Sequence, residues 1–221
     1  MSDTIIDQLT QSFLKFPGIG PRQAKRFVYY LLHAHNGKVD LLLKQIANLR
    51  QNILQCSECF RFFTRNSSTS LGASDTKICE ICNDPDADQS LLMVVEKDID
   101  LENIRKSGTY DGRYFVLGGL APILDDHPEN FIRLRELEKL IEHRVSDTSL
   151  GGETPKLQEI IIALSVNPEG DYTVDILKKI LAPLATKHAL KITLLGRGLS
   201  TGTELEYSDP ETLKNAIKNR G

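Results

Sequence analysis

The four cysteines of the chain, Cys56, Cys59, Cys79 and Cys82, fall within one stretch, CSECFRFFTRNSSTSLGASDTKICEICND. They make two C-x-x-C pairs separated by nineteen residues. Two thiolate pairs carried on two turns can close a tetrahedral shell around Zn²⁺, with Zn–S distances of roughly 2.3 Å. Four protein ligands leave no open coordination position, so such a metal is structural. A redox C-x-x-C acts as a single pair at a helix N-terminus in a βαβ setting, which two separated pairs fit poorly. Iron–sulfur ligation and plain unligated thiols remain as alternatives.

A second constellation is KFPGIGPRQAKRF, residues 15–27. A helix, a G-I-G turn and a second helix make a helix-hairpin-helix. Gly18 and Gly20 let the backbone approach a phosphate closely. The start of the second helix points free N–H groups and a positive dipole at the same place. Arg22 and Arg26 stand four apart on one helix face with Lys25 beside them. Such a site grips the DNA backbone without reading bases. The plainer reading is a helical hairpin with ordinary surface charges.

The third is acidic. Glu96 directly follows the apolar run LLMVV, and Glu169 and Asp171 follow EIIIAL. Both places are carboxyl ends of expected strands, where α/β sheets put their sites. Three carboxylates there could hold Mg²⁺, and in principle run two-metal phosphodiester chemistry. The plainer reading is helix capping, with Asp171 as N-cap of a helix over 172–189. The five histidines show no ligand spacing with these acids, and no Ser or Cys has a partnered His.

These residues need elements to hold them. Helical spacing covers 3–16, about 22–34 and about 39–54, with PGIGP breaking the first from the second. Within 56–82, the interior TRNSSTSLGAS reads as a loop. From residue 91 short β-rich apolar runs alternate with helical patterns. The runs are 91–95, 113–117, 159–164 and 191–195; the helices are 98–107, 129–144 and 171–189. That alternation implies an α/β domain with a largely parallel sheet. A last helix over 209–219 opens on Asp209 as N-cap and Pro210 at its first position.

Composition bounds the rest. The chain has 221 residues and a formal net charge of −3, which argues against a general nucleic-acid binder. The distribution says more: residues 1–54 carry seven basic side chains against three acidic ones, and residues 55–90 carry three against six. A basic module on an acidic body suits an anionic partner for that module. No apolar run is long enough to cross a membrane, and MSDTIIDQLTQSFLKFPG lacks the pattern of a secretory signal. The expected location is the cytoplasm, where disulfides are rare.

The order of these parts resembles the bacterial recombination mediator family RecR. FPGIGPRQAKRFVYYLL is similar to its helix-hairpin-helix. C-x-x-C…C-x-x-C-N-D, followed by Asp88 in DPDAD, is similar to its four-cysteine zinc finger. LLMVVEKDIDLENIRKSGTYDGRYFVLGG resembles the start of its Toprim domain, and EGD (169–171) falls at its later acidic pair. RGLSTGTELEYSDPETLKNAI resembles its C-terminal segment. The family's cysteine pairs stand closer together, so TRNSSTSLGAS (64–74) reads as an insert, placed at about 65–75, to which no function is assigned. LSVNPEGD and LAPILDDHPEN also depart from the family's usual residues.

The resemblance implies a multidomain α+β fold: 1–54 a helix-hairpin-helix module for DNA binding and oligomerisation, 55–89 a four-cysteine zinc finger with the insert, 90–195 a Toprim domain, 196–221 a C-terminal segment. It implies a non-catalytic DNA clamp that forms dimers and ring-shaped tetramers, and binds single- and double-stranded DNA without sequence preference. With RecO and RecF it would help load RecA onto single-stranded DNA coated by SSB, in the cytoplasm at the nucleoid. Arg22 and Arg26 match the family's DNA-contact positions. Glu96, Glu169 and Asp171 match its Toprim acids, on a surface implicated in contacting RecO, with Mg²⁺ possible there. The alternative is a Mg²⁺-dependent Toprim nuclease or topoisomerase-like enzyme, though no motif places a nucleophilic Tyr.

Overall fold

The computed structural model describes residues 4–64, 77–125, 127–146 and 157–196, together with Thr212 and Lys214. The chain divides into two compact units, residues 1–53 and 54–221.

The first unit is helical. α1 (Ile5–Leu14) opens on a capping box in which the Thr4 hydroxyl accepts from the Asp7 N–H at 3.2 Å and the Asp7 carboxylate accepts from the Thr4 N–H at 3.3 Å. These reciprocal bonds satisfy donors that a bare helix start leaves open. The chain turns through Gly18, whose φ of +75° belongs to the left-handed region that glycine enters without a Cβ clash. α2 (Pro21–His33) begins with proline at a position where its missing N–H costs nothing. Ala24 and Val28 are its buried residues, and Phe13 meets Phe27 edge-on at 5.7 Å to join α1 to α2. α3 (Asn36–Asn52) has no buried residue and exposes Leu41, Leu42, Leu43, Ile46 and Leu49.

The second unit is built on a four-stranded sheet of β3 (Asp88–Val95), β4 (Gly112–Val116), β5 (Glu159–Ala163) and β6 (Lys191–Leu194). The strands are parallel and lie in the order β4-β3-β5-β6, so β4 and β6 are the edges. Register places Val95 beside both Val116 and Ala163. The crossovers carry α4 (Asp98–Ser107), α5 (Leu134–Ser146) and α6 (Pro168–His188). Two short strands, β1 (Ile53–Gln55) and β2 (Phe62–Thr64), form a separate ribbon around the first cysteine pair.

Successive strand residues point to opposite faces. Leu92 and Val94 join Phe115, Leu117, Ile160 and Ile162 in a core completed by Leu137 and Ile141 of α5 and Leu177 and Leu181 of α6. Met93 and Val95 join Tyr114, Val116 and Ala163 in a second core, completed by Leu101 of α4, Phe63 and the four cysteines. The cysteine turns therefore pack directly against the sheet and cover the face that α4 alone leaves open.

Three helix starts differ from the sequence reading. α3 begins at Asn36, three residues before the expected Val39. Where a helix over 129–144 was expected, a 3₁₀ turn (Pro128–Phe131) comes first and α5 starts at Leu134. Asp171 does not cap α6: Asn167 does, its side chain accepting from the Gly170 N–H at 2.7 Å. Asp171 instead lies in the first turn, its own N–H donating to the Asn167 carbonyl at 2.9 Å. The expected helix over 209–219 lies outside the described residues apart from Thr212 and Lys214, both helical. The insert from residue 65 and, those two residues apart, the segment from 197 onward lie outside them too.

Candidate metal centre and nucleic-acid interface

Each C-x-x-C is a tight turn. The Phe60 N–H donates to the Cys56 carbonyl at 3.2 Å, and the Asn83 N–H donates to the Cys79 carbonyl at 3.0 Å. The four Sγ atoms lie within 4.8 Å of one another, and all four residues are buried and free of disulfides. Cys59 Sγ and Cys79 Sγ are 3.6 Å apart. That is far beyond a disulfide bond. It is close to the roughly 3.8 Å that separates ligands of a tetrahedral tetrathiolate with Zn–S near 2.3 Å. Thiols this close cannot all ionise unaided: hydrogen bonds from Cys59, Cys79 and Cys82 hold Cys56 far below the usual thiol range, while those with Cys56, Cys59 and Cys79 push Cys82 far above it. A divalent cation would resolve the conflict by taking all four as thiolates. Among the described residues this is the group of His, Cys, Asp or Glu that can hold a metal ion.

Three arginines fasten the turns, Arg113 and Arg133 to the sheet and Arg61 to α4. Arg61, almost fully buried, donates Nη1–H to Glu80 at 2.6 Å and Nη2–H to Glu102 of α4 at 2.8 Å. Burial alone would lower its pKa; the Glu80 hydrogen bond and charge, with the adjacent Cys79 sulfur, more than reverse this. Arg113 of β4, 4% exposed, donates Nη1–H to the Ile81 carbonyl at 2.5 Å, Nη2–H to the Asp84 carbonyl at 2.6 Å and Nε–H to Gln89 Oε1 at 3.2 Å. Arg133 donates to the Val116 carbonyl at 2.8 Å and lies over the Phe60 ring, 5.6 Å from its centre. Phe60 has a φ of +61° and reaches Phe115 at 5.5 Å.

In the first unit Arg22, Lys25 and Arg26 are exposed on α2, while Ala24 and Val28 of the same helix are buried. Gly18 and Gly20 sit in the turn before them, and no atom lies within 4 Å of where a Cβ would stand at either. Only Gly18 needs glycine for its backbone; Gly20 caps α2 in an extended conformation. The turn is thus open to an approaching group beside three cations and a helix N-terminus.

At the carboxyl edge of the sheet Glu96 is 4% exposed. Its carboxylate accepts from Ser165 Oγ and pairs with Lys97 Nζ at 2.5 Å. Burial pushes its pKa up, but the hydrogen bonds from Lys97 and Ser165 and the Lys97 charge hold it below the ordinary value. Glu169 and Asp171 are exposed in the first turn of α6. The three acids share an edge, yet they do not form a group within metal-ligand reach.

Sequence reasoning missed Lys97, Ser165, Arg61 and Arg113. The one available signal was Arg113: an arginine inside the wholly buried strand GRYFV demands a buried partner.

A parallel four-stranded sheet capped by a four-cysteine cluster, joined to a helix-hairpin-helix, defines a Toprim-domain protein with DNA-repair modules. Known families match accordingly: Toprim domain over residues 90–195, RecR helix-hairpin-helix over 6–50, and RecR C-terminal over 198–220. The recombination protein RecR of Chloroflexus aurantiacus is 34% identical over 216 residues, spanning 97% of this chain and 93% of its own. That of Chlorobaculum tepidum is 31% identical over 219 residues, spanning 99% and 97%, and that of Lactobacillus acidophilus is 30% identical over 215, spanning 97% and 96%. The chain belongs to the RecR family, and with it to the proteins of recombinational DNA repair. No helix among the described residues is long and apolar enough to cross a membrane.

Proposed function

We propose that the protein is a non-catalytic recombination mediator that clamps DNA through α2 and its preceding turn. The observation that carries this is the exposed trio Arg22, Lys25 and Arg26 beside the open Gly18–Gly20 turn at a helix start. Cations and N–H groups so arranged bind phosphates of single- or double-stranded DNA without reading sequence. Residues 1–54 are the DNA-binding and self-association module. The five exposed apolar side chains of α3 favour a second copy of the chain as partner, in a dimer or ring-shaped tetramer.

The four cysteines would hold one structural Zn²⁺ at 55–89, bracing the Toprim domain (90–195); 196–221 completes the chain. The carboxyl edge with Glu96, Glu169 and Asp171 is a partner surface for RecO. Acting with RecO and RecF in the cytoplasm at the nucleoid, the protein would help load RecA onto SSB-coated single strands. The engagement of Glu96 by Lys97 and Ser165 favours this reading over a Mg²⁺-dependent nuclease. The deciding experiment replaces Arg22 and Arg26 together with Ala and measures DNA affinity across salt concentrations. Affinity should fall and the log–log salt slope flatten by about two for duplex DNA. An unchanged slope would defeat the clamp.

A further inference from the structure

A tetrathiolate around a divalent cation carries two net negative charges, and here it would sit among buried side chains. Buried charge is costly unless compensated by an opposite charge or by hydrogen bonds. Two buried guanidinium groups reach the second cysteine turn. Arg61 pairs with Glu80, the residue next to ligand Cys79, and with Glu102 of α4, so it fastens the turn to that helix. Arg113 grips the Ile81 carbonyl, between the two ligands, and the Asp84 carbonyl just beyond them. Its three hydrogen-bond partners are all neutral oxygens, and no described carboxylate lies within 4.0 Å of it. Those hydrogen bonds hold the buried fork in place, and the turn that it grips is the one whose metal–thiolate charge its cation would offset.

We propose that Arg61 and Arg113 are positioning residues of the metal centre, which offset its charge and hold the Cys79–Cys82 turn in ligating geometry. The two divide the task. Arg61 supplies a cation bonded to the residue beside a ligand and fastens the turn to α4. Arg113 supplies a rigid fork whose two arms fix two carbonyls of one turn, a geometry that lysine cannot copy. Partners of this kind, one shell beyond the ligands, commonly change metal affinity by about 10–100-fold when removed. The inference rests on the reading of the cysteines as a metal site.

The test is Co²⁺ titration of the full-length, metal-stripped protein, reading the sulfur-to-cobalt charge-transfer and tetrahedral d–d bands. Arg61→Gln and Arg113→Gln should each weaken Co²⁺ binding about 10–100-fold while far-UV circular dichroism stays native. Leu137→Ala, in the core on the opposite sheet face, should destabilise the fold yet keep wild-type Co²⁺ affinity. Wild-type affinity in both glutamine variants overturns this inference and leaves the metal site standing, as does an equal loss in Leu137→Ala. Absence of thiolate bands in the wild type overturns both. Should Arg113→Gln fail to fold, Arg113→Lys decides, and should Arg61→Gln fail to fold, Arg61→Met, which keeps the apolar stem and removes the charge, decides: weaker binding than wild type supports the inference, and wild-type binding overturns it.

Discussion

The Val116 N–H donates to the Cys59 carbonyl at 2.8 Å. Val116 ends β4, an edge strand, and Cys59 ends the first cysteine turn. An edge strand presents unpaired backbone groups that invite other chains. Here a cysteine turn takes one of those groups, and Phe60, the next residue, reaches Phe115 of the same strand on the core opposite the cysteines. The first turn thus wraps the rim of the sheet.

Metal removal should therefore be felt well beyond the turns. Stripping metal with a chelator is expected to lower the melting temperature of the unit from Leu54 onward by about 10 °C, as a loss of about 3 kcal/mol or more would. The helical unit, compact by itself, should keep its transition. Differential scanning calorimetry with and without chelator checks this; equal melting curves would contradict it.

The two turn glycines should behave differently. Gly18→Ala forces a side chain into a φ of +75° and should cost about 1–2 kcal/mol in the helical unit. Gly20→Ala keeps an ordinary φ of −88° and should cost less, though the added methyl occupies space open to a phosphate. Chemical denaturation separates the stability effects, and DNA titration should show weaker binding for Gly20→Ala at near-native stability.

Gly170→Ala should be severe. A Cβ there would collide with the Ser165 carbonyl, and the neighbouring cap, Asn167, cannot give way without losing its bond to the Gly170 N–H. We expect a loss of about 2 kcal/mol or more, the range for forced backbone shifts. Displacing Ser165 should also release Glu96. A melting temperature within about 2 °C of wild type, roughly 1 kcal/mol or less, would refute the collision.

Acid should act through Glu80 and Glu96. Burial raises each pKa, but for Glu80 the Arg61 hydrogen bond and charge, and for Glu96 the Lys97 and Ser165 bonds, bring both below the ordinary 4.5. A folded value below the unfolded one gives stability that is complete above pH 4.5 and lost as pH falls through the folded value. Melting temperature against pH should accordingly fall below that point, and Glu80→Gln should flatten the fall. An unaltered acid limb in Glu80→Gln would show the Arg61 pair to be energetically silent.

Much of this was legible in the residues. Parallel strands buried on both faces read as continuous apolar runs, so all four sheet strands were found within three residues at either end. The cysteine spacing announced its own cluster because ligand geometry is local. The start of α6 was misread although Asn167 and Pro168 are standard opening signals, and the close approach of Gly170 to the Ser165 carbonyl leaves no trace in spacing. The arginine clamps were illegible for a different reason. Arg61 and Arg113 meet partners up to 41 residues away, and no periodicity encodes such pairings. The acids were placed at the correct edge, but spacing could not reveal that Lys97 and Ser165 engage Glu96.

The two-faced burial of β3 also limits how freely the parts can be exchanged. Met93 and Val95 pack with the cysteines while Leu92 and Val94, alternating with them, pack with α5 and α6. A cysteine turn transplanted onto a foreign sheet would arrive without its floor; the smallest portable piece includes Met93, Val95, Tyr114, Val116 and the Arg113 fork. The four-cysteine segment is contiguous in sequence, but as a unit of inheritance or engineering it ends inside the sheet.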